Sequence, residues 1–266
     1  MKKTNKTINK ERTAGKRPGG VIELFAALGV AVLVGLLIFG IHSCESRPSV
    51  KDGIMNDSVV SSKGPTQTVM NPIPVKEAIL PLQLAKGVTV DQVYTSTGYF
   101  PEDGTDKAMK GVLAVKLTNT SEQTLEYLTF TLKVNGEKYK FAAATVPAKK
   151  SVYVFNSKSK KAPDKISALE GEEEVKTYFP TEPSKKIGTL SYSVNTGSIV
   201  VKNISKRDID SDIMVYYKST ADGGYLGGIT YRFRIKGGLD AGKSYTAFAP
   251  HAYAHMTEIM FVQYEE

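Results

Sequence analysis

The chain has 266 residues, of which 41% are hydrophobic and 23% are charged, so part of it must fold around a core. Its formal net charge of +8 is concentrated in residues 1–20, which hold seven Lys or Arg residues and one Glu. That segment carries +6 and the other 246 residues carry +2, which argues against a nucleic-acid-binding domain.

Residues 21–42 are predicted to form a transmembrane helix that places the chain in a lipid bilayer. Positions 24–41 are uncharged and mostly apolar, and a 22-residue helix is about 33 Å long, enough to cross a bilayer core. The basic tail 1–20 precedes this segment, so the positive-inside rule puts the N-terminus in the cytoplasm and residues 43–266 outside. A cleaved signal is the alternative, because "GIHSC" resembles a lipoprotein site with Cys44 lipidated.

Two further features concern the envelope. Ala27, Ala31 and Gly35 form a stripe of small residues that would let two helices approach, so homodimerisation through the helix is a hypothesis. Cys44 is the single cysteine, so no intramolecular disulfide can form. An exported chain without disulfides, rich in Lys, Thr, Ser and Tyr, is typical of a Gram-positive surface.

The external part divides by composition into four segments. Residues 43–86 contain several prolines and are predicted to be a stalk, with a leading strand or a short turn within "EAILPLQLAK". Residues 87–157 and 189–266 show short alternating apolar runs, and we expect two small antiparallel β-sandwich domains. Residues 158–188 hold a basic run, an acidic run and prolines, and are predicted to be a linker, with a short helix around residues 166–175 as the alternative. The chain is therefore expected to be mainly β after its one helix.

The alternation also assigns faces within each domain. Leu113, Val115 and Leu117 fall on one side of a strand, and Lys138 and Lys140 fall on the outer side of another. In the second domain Ile229, Tyr231, Phe233 and Ile235 are predicted to face the core.

The two domains are predicted to be copies of one plan. Asn119-Thr-Ser aligns with Asn203-Ile-Ser, 84 residues later. Lys150-Ser151 aligns with Lys243-Ser244, 93 residues later. The extra nine residues fit a longer loop, "TADGGYLGG", in the second copy.

Two motifs suggest chemistry. Residues 237–244, "GGLDAGKS", match the P-loop pattern, but "SYTAF" after them reads as a strand where a P-loop requires a helix. The match is interpreted as a loop between strands, and no cofactor is predicted. His251 and His255 are four apart, yet no third ligand is near, so no metal site is predicted. No catalytic set can be assembled, and the chain is not expected to be an enzyme.

A basic face in the second domain is the candidate binding surface. Its members would be Lys218, Arg232, Arg234, Lys236 and Lys243. Such a face could meet an anionic wall polymer, although a solvated outer face of the sandwich is the simpler interpretation.

Residues 190–264 resemble the FxLYD-type domains of Gram-positive membrane-anchored proteins. The resemblance rests on "IVVKNIS", "DIMVYYKSTADGG" and "LDAGKSYTAF", and the Leu-Tyr-Asp core of that family is represented only by "VYYKSTADGG". It implies an immunoglobulin-like fold and a surface location, and no catalysis. The expected function is a single-pass surface protein that binds or scaffolds an envelope protein or polymer. An accessory subunit of a membrane transport or secretion complex is the alternative.

Overall fold

The computed structural model describes residues 68–76 and 79–265, and this part of the chain is mainly β. It contains one short 3₁₀ helix, Pro101–Asp103, and fourteen strands. The strands are β1 Val69–Pro72, β2 Leu82–Ala85, β3 Val88–Phe100, β4 Lys107–Asn119, β5 Leu125–Val134, β6 Glu137–Val146, β7 Ser151–Phe155, β8 Leu169–Tyr178, β9 Leu190–Asn195, β10 Ser198–Asn203, β11 Ile213–Ala221, β12 Gly224–Ile235, β13 Ser244–Phe248 and β14 Thr257–Gln263.

The predicted membrane features fall outside the described residues. They are the basic tail 1–20, the helix 21–42 with Ala27, Ala31 and Gly35, and Cys44. Among residues 68–76 and 79–265, no helix has the length and apolar character needed to cross a membrane.

The strands form three sheets. The central sheet has eight strands in the order β1-β3-β4-β7-β12-β11-β14, with β2 also paired to β3. The first flanking sheet is β6-β5-β8 and the second flanking sheet is β13-β10-β9. Neighbouring strands are antiparallel except β7 and β12, which pair in parallel through Tyr225 with Val152 and Leu226 with Tyr153.

The sheets reveal two modules with the same strand plan. The first module, β3 to β8, consists of the three-stranded sets β3-β4-β7 and β6-β5-β8, and the second module, β9 to β14, consists of β9-β10-β13 and β12-β11-β14. Each strand of the first module therefore has a counterpart six strands later. The modules are not separate domains, because β7 of the first and β12 of the second make their sheets continuous.

The flanking sheets cover opposite faces of the central sheet. In β11, Val215 and Tyr217 belong to the core beneath the second flanking sheet, whereas Tyr216 packs against the core beneath the first. Successive side chains on a strand point to opposite faces, so one flanking sheet lies on each side. The predicted core residues Leu113, Val115 and Leu117 are fully buried as expected.

Two predicted boundaries are wrong. The predicted linker 158–188 contains β8, which pairs with β5 along its whole length, and the predicted stalk 43–86 contains β1, which pairs with β3. The short strand predicted within residues 77–86 is confirmed as β2, which also pairs with β3. The glutamates that suggested a linker lie on the exposed side of β8 and meet lysines across the sheet. Glu170 lies 3.4 Å from Lys133, and Glu174 lies 3.4 Å from Lys140.

The loop of residues 119–124, here the Asn119 loop, is organised by one buried side chain. The Asn119 amide nitrogen donates to the carbonyl oxygens of Gln123 at 2.8 Å and Val146 at 2.9 Å, and its oxygen accepts the Ser121 N–H at 3.1 Å. The Asn119 backbone N–H donates to the Lys150 carbonyl oxygen at 3.0 Å. These bonds satisfy backbone groups that burial would otherwise leave unpaired.

The second module repeats this arrangement in residues 203–208, the Asn203 loop. Asn203 donates to the carbonyl oxygens of Arg207 and Leu239, both at 2.8 Å, and accepts the Ser205 N–H at 3.0 Å. Its backbone N–H donates to the Lys243 carbonyl oxygen at 3.0 Å. The two asparagines and two lysines that the sequence aligns are therefore structurally equivalent.

We expect Asn119→Ala and Asn203→Ala each to lower the free energy of unfolding by about 2–3 kcal/mol, because each leaves buried loop carbonyls unpaired. Urea denaturation of the purified chain measures this. Asn195→Ala is the control, since Asn195 is exposed, and should change stability by less than about 0.5 kcal/mol. Losses no larger than that of the control would contradict the equivalence.

Candidate functional site

The predicted basic face includes one residue that the structure buries. Lys218 is fully buried in β11 and donates to the carbonyl oxygens of Ile229 at 2.7 Å, Ala144 at 3.0 Å and Gly228 at 3.2 Å. The pairing register of β11 shifts around this position, between Tyr217 and Ser219 on the β12 side. Such a bulge re-aims a side chain. The assignment of Lys218 to a surface binding face is therefore wrong.

The other four cations lie at or near the surface, but only three of them lie on the same strand or directly after it. Arg232, Arg234 and Lys236 occupy alternate positions along β12 and the residue after it, and the last two are exposed. Arg234 forms an ion pair with Asp212. Lys243 is exposed in the turn before β13, which belongs to a different sheet.

The P-loop-like stretch has the geometry of a strand connection. β12 ends at Ile235 and β13 begins at Ser244, so a strand lies on each side of the glycines and no helix follows. Gly238 has a φ of 81°, and a Cβ there would overlap the Ile209 carbonyl oxygen. Gly238 therefore allows a close approach of two backbone segments, and Lys243 contributes its carbonyl oxygen to a hydrogen bond with the Asn203 N–H.

His251 joins the β13–β14 loop to the loop before β4. Its Nδ1 lies 2.9 Å from a carboxylate oxygen of Asp106, and its ring stacks on Tyr231 with centroids 4.3 Å apart. These residues border a small cleft of about 40 Å³. His255 is exposed with a φ of 63°, and the described residues contain no group of three metal-ligating side chains.

The contact between the modules is centred on two ionisable side chains, Glu102 and Lys218. Glu102 belongs to the 3₁₀ helix, and its carboxylate accepts the Phe155 N–H at 2.8 Å and the Gly228 N–H at 2.8 and 2.9 Å. Gly228 therefore donates to Glu102 through its N–H and accepts from Lys218 through its carbonyl oxygen. We call Glu102, Gly228 and Lys218 the junction.

Only glycine fits at position 228. A Cβ there would overlap the Ala142 carbonyl oxygen of β6 and would lie 3.0 Å from a carboxylate oxygen of Glu102. The absence of a side chain lets β12 of the second module approach β6 of the first, so that Lys218 reaches the Ala144 carbonyl oxygen.

Burial dominates the electrostatics of the junction. It raises the pKa of Glu102 to about 7, while the N–H donors of Phe155 and Gly228 and the charge of Lys218 act to lower it. Burial likewise lowers the pKa of Lys218 to about 7, opposed by the charge of Glu102. Each charged group thus depends on hydrogen bonds and on the other group to offset its loss of hydration.

Sequence reasoning missed Glu102 and Gly228. The available signal was Gly227-Gly228 inside an otherwise regular strand, a pattern that indicates a bulge or a close backbone approach.

No protein-family model matches the chain, and no curated protein or solved structure is significantly similar to it. The arrangement of the junction is suited to holding two modules together.

We expect Gly228→Ala to lower the free energy of unfolding by about 3 kcal/mol or more, because the added methyl group must displace β6 and disturb both charged partners. Thermal and urea denaturation measure the loss. Gly188→Ala is the matched control, since a Cβ at that position meets nothing within 4 Å. Equal stability of the two variants would contradict the close approach.

The junction should also give stability a characteristic pH dependence. Because the pKa of Glu102 is raised from 4.5 to about 7, the folded chain binds more protons than the unfolded chain in that window, and stability falls as pH rises. Because the pKa of Lys218 is lowered from 10.5 to about 7, the folded chain binds fewer protons above that value, and stability rises.

The measurement is the difference in unfolding free energy between the natural chain and Glu102→Gln/Lys218→Met, at about pH 5, 7 and 9.5. The difference should be least favourable to the natural chain near neutral pH. A difference that does not vary with pH would contradict this.

Proposed function

We propose that the chain is a single-pass surface protein of a Gram-positive envelope and that its β region is a binding or scaffolding module outside the membrane. The apolar segment 21–42 and the basic tail before it support this placement. The resemblance of residues 190–264 to FxLYD-type domains supports the same setting. It also suggests that each module of six antiparallel strands is a variant of the immunoglobulin-like sandwich.

The observation that carries the proposal is the continuity of the two modules. The central sheet runs through both, and the junction ties β11 to β6 through Lys218 and β12 to the 3₁₀ helix through Gly228. Two modules joined in this way present their outer loops in a fixed geometry. A surface ordered in advance loses less conformational entropy when it binds a partner, which favours a binding role.

Exposed cations give this module a candidate contact with anionic wall polymers. Lys236 and Lys243 are exposed and have no ion pair among the described residues, whereas Arg234 is paired with Asp212. Lys218 is excluded from such a contact because it is buried. The anionic ligand would therefore meet the end of the second module where β12 leads towards β13.

Protease treatment of intact cells tests the placement. A C-terminal epitope should be removed and an N-terminal epitope should be protected, because residues 43–266 are proposed to lie outside. A C-terminal epitope that is cleaved only after lysis would contradict the proposal. In the same cells Cys44→Ser should stay in the membrane fraction, whereas its release would favour the lipoprotein alternative.

A further inference from the structure

The sheet edge formed by β7 in the first module has an unpaired counterpart in the second module. Lys150-Ser151 aligns with Lys243-Ser244, so β13 occupies beside β10 the place that β7 occupies beside β4. Both strands have five residues, and each has one antiparallel neighbour from its own module. The two strands differ in what lies on their other side.

The other side of β7 is occupied by the second module. Val152 and Tyr153 pair in parallel with the start of β12, and the Phe155 N–H donates to the Glu102 carboxylate at 2.8 Å. The Phe155 side chain is fully buried at this contact. The first module therefore shows that a strand edge in this position can accept a neighbouring strand.

The other side of β13 has no partner among residues 68–76 and 79–265. The Ala249 N–H donates to the Gly197 carbonyl oxygen of the β10 side at 2.9 Å, so alternate residues from position 249 backwards face β10. The remaining residues of β13 direct their backbone N–H and carbonyl groups away from β10. They are Ser244, Thr246 and Phe248, and none of these backbone groups forms a hydrogen bond within the described part of the chain.

An exposed aromatic side chain ends this unpaired edge. Phe248 is 62% exposed, whereas Phe155, its counterpart in β7, is fully buried. Ser244 and Thr246 are exposed on the same face as Phe248. A row of unpaired backbone groups beside an exposed aromatic ring is suited to the addition of another strand.

β13 also lacks the residues that usually protect a free edge from pairing. It reads "SYTAF" and contains neither a charge nor a proline, whereas the edge strand β8 carries glutamates at positions 170 and 172–174. The opposite edge of the same sheet, β9, is uncharged as well, but its apolar side chains pack on the core. These are Leu190, Tyr192 and Val194. Only β13 therefore combines an uncharged edge with an exposed apolar side chain in this sheet.

The strand that covers β7 is not available to cover β13. It begins within the nine additional residues "TADGGYLGG" of the β11–β12 connection, which occur once in the chain and are already paired with β7. A second copy of the chain does offer an uncharged free edge, which is its own β13. This edge is self-complementary in antiparallel orientation, because its outward residues are placed symmetrically about Thr246.

The sequence around β13 fixes the register of such a contact. Pairing about Thr246 places Ser244 opposite Phe248 of the partner subunit, and the outward groups of both strands then form about six hydrogen bonds. A shift of two residues in one direction would bring in Pro250, which has no N–H. A shift in the other direction would bring in Gly242, whose N–H already donates to the Asn203 loop at 2.9 Å.

We propose that β13 pairs with β13 of a second copy of the chain, so that two second flanking sheets form one continuous six-stranded sheet. Phe248 then packs beside Ser244 of the partner subunit. The contact is the same for both copies, so it closes as a dimer and does not extend into a filament. The predicted helix 21–42 would place both copies in one bilayer and raise their effective concentration. This inference goes beyond the proposed binding role.

Cysteine crosslinking of the full chain in lipid vesicles tests the contact and its register. In a Cys44→Ser background, Thr246→Cys should give a disulfide-linked dimer on mild oxidation, because the two positions face each other. A mixture of Ser244→Cys chains with Phe248→Cys chains should also give this dimer. Ser244→Cys alone should not, since its two copies would lie about 13 Å apart along the strands. Non-reducing electrophoresis separates monomer from dimer.

Ser193→Cys is the matched control for Thr246→Cys. Ser193 is exposed in the same row of the sheet, where Val200 pairs with both residues, but it lies on β9, two strands from the proposed contact. It should give at least about tenfold less dimer, because cysteines this far apart cannot be bridged.

A charge at the centre of the contact should prevent the pairing. In the mixture of Ser244→Cys and Phe248→Cys chains, adding Thr246→Lys to both should lower the dimer yield at least about fivefold, because like charges then lie directly opposite each other. Ser193→Lys adds the same charge away from the contact and should change the yield by less than about twofold. Both lysine variants should keep the thermal stability of the natural chain, since the substituted residues are exposed.

The proposal is overturned if Thr246→Cys gives no more dimer than Ser193→Cys, or if Ser244→Cys alone crosslinks as well as the mixture. Equal loss of dimer in the two lysine variants would also overturn it. These outcomes are independent of the protease test on cells: the chain could form this dimer on either side of a membrane, and a surface chain could fail to form it.

Discussion

The close approach of β12 to β6 at Gly228 is the constraint on which the arrangement of the two modules depends. Bringing two backbones together without room for a Cβ buries polar groups, and each buried N–H or carbonyl oxygen needs a partner. Glu102 takes the Gly228 N–H, and Lys218 takes the carbonyl oxygens of Gly228 and Ala144. Neither charge could be buried alone at acceptable cost, so the pair and the glycine form one interdependent unit.

This constraint explains why the repeated halves form one body. The first module supplies β3-β4-β7 to the central sheet and the second supplies β12-β11-β14, which are not the equivalent sets of the two copies. The copies therefore meet through different surfaces, with β7 of one pairing in parallel with β12 of the other. The free edge that β7 would otherwise present is covered by this pairing, which removes a site for unwanted association.

Strand alternation and the repeat could be predicted from sequence because both are local. Leu113 could be assigned to the core from the alternation of its neighbours. Asn119 could be assigned to a repeated loop from its alignment with Asn203. β8 was missed because Glu170, Glu172 and Glu174 hide its alternation, although an exposed strand face tolerates such charges when lysines lie across the sheet. Lys218 was misplaced because a register shift in β11 and the Ala144 carbonyl oxygen, 74 residues away in the chain, decide where its side chain points.

The repeat also separates what the plan requires from what each copy adds. Asn119 and Asn203 keep the same bonds because both hold a loop between sheets, and a substitution at either would unpair the same backbone groups. The side chains at the neighbouring positions make none of these bonds, and they differ in charge: Glu122-Gln123 in the first module and Lys206-Arg207 in the second. The two loops thus differ in charge where they face solvent, and in the second module a cleft of about 540 Å³ adjoins the loop.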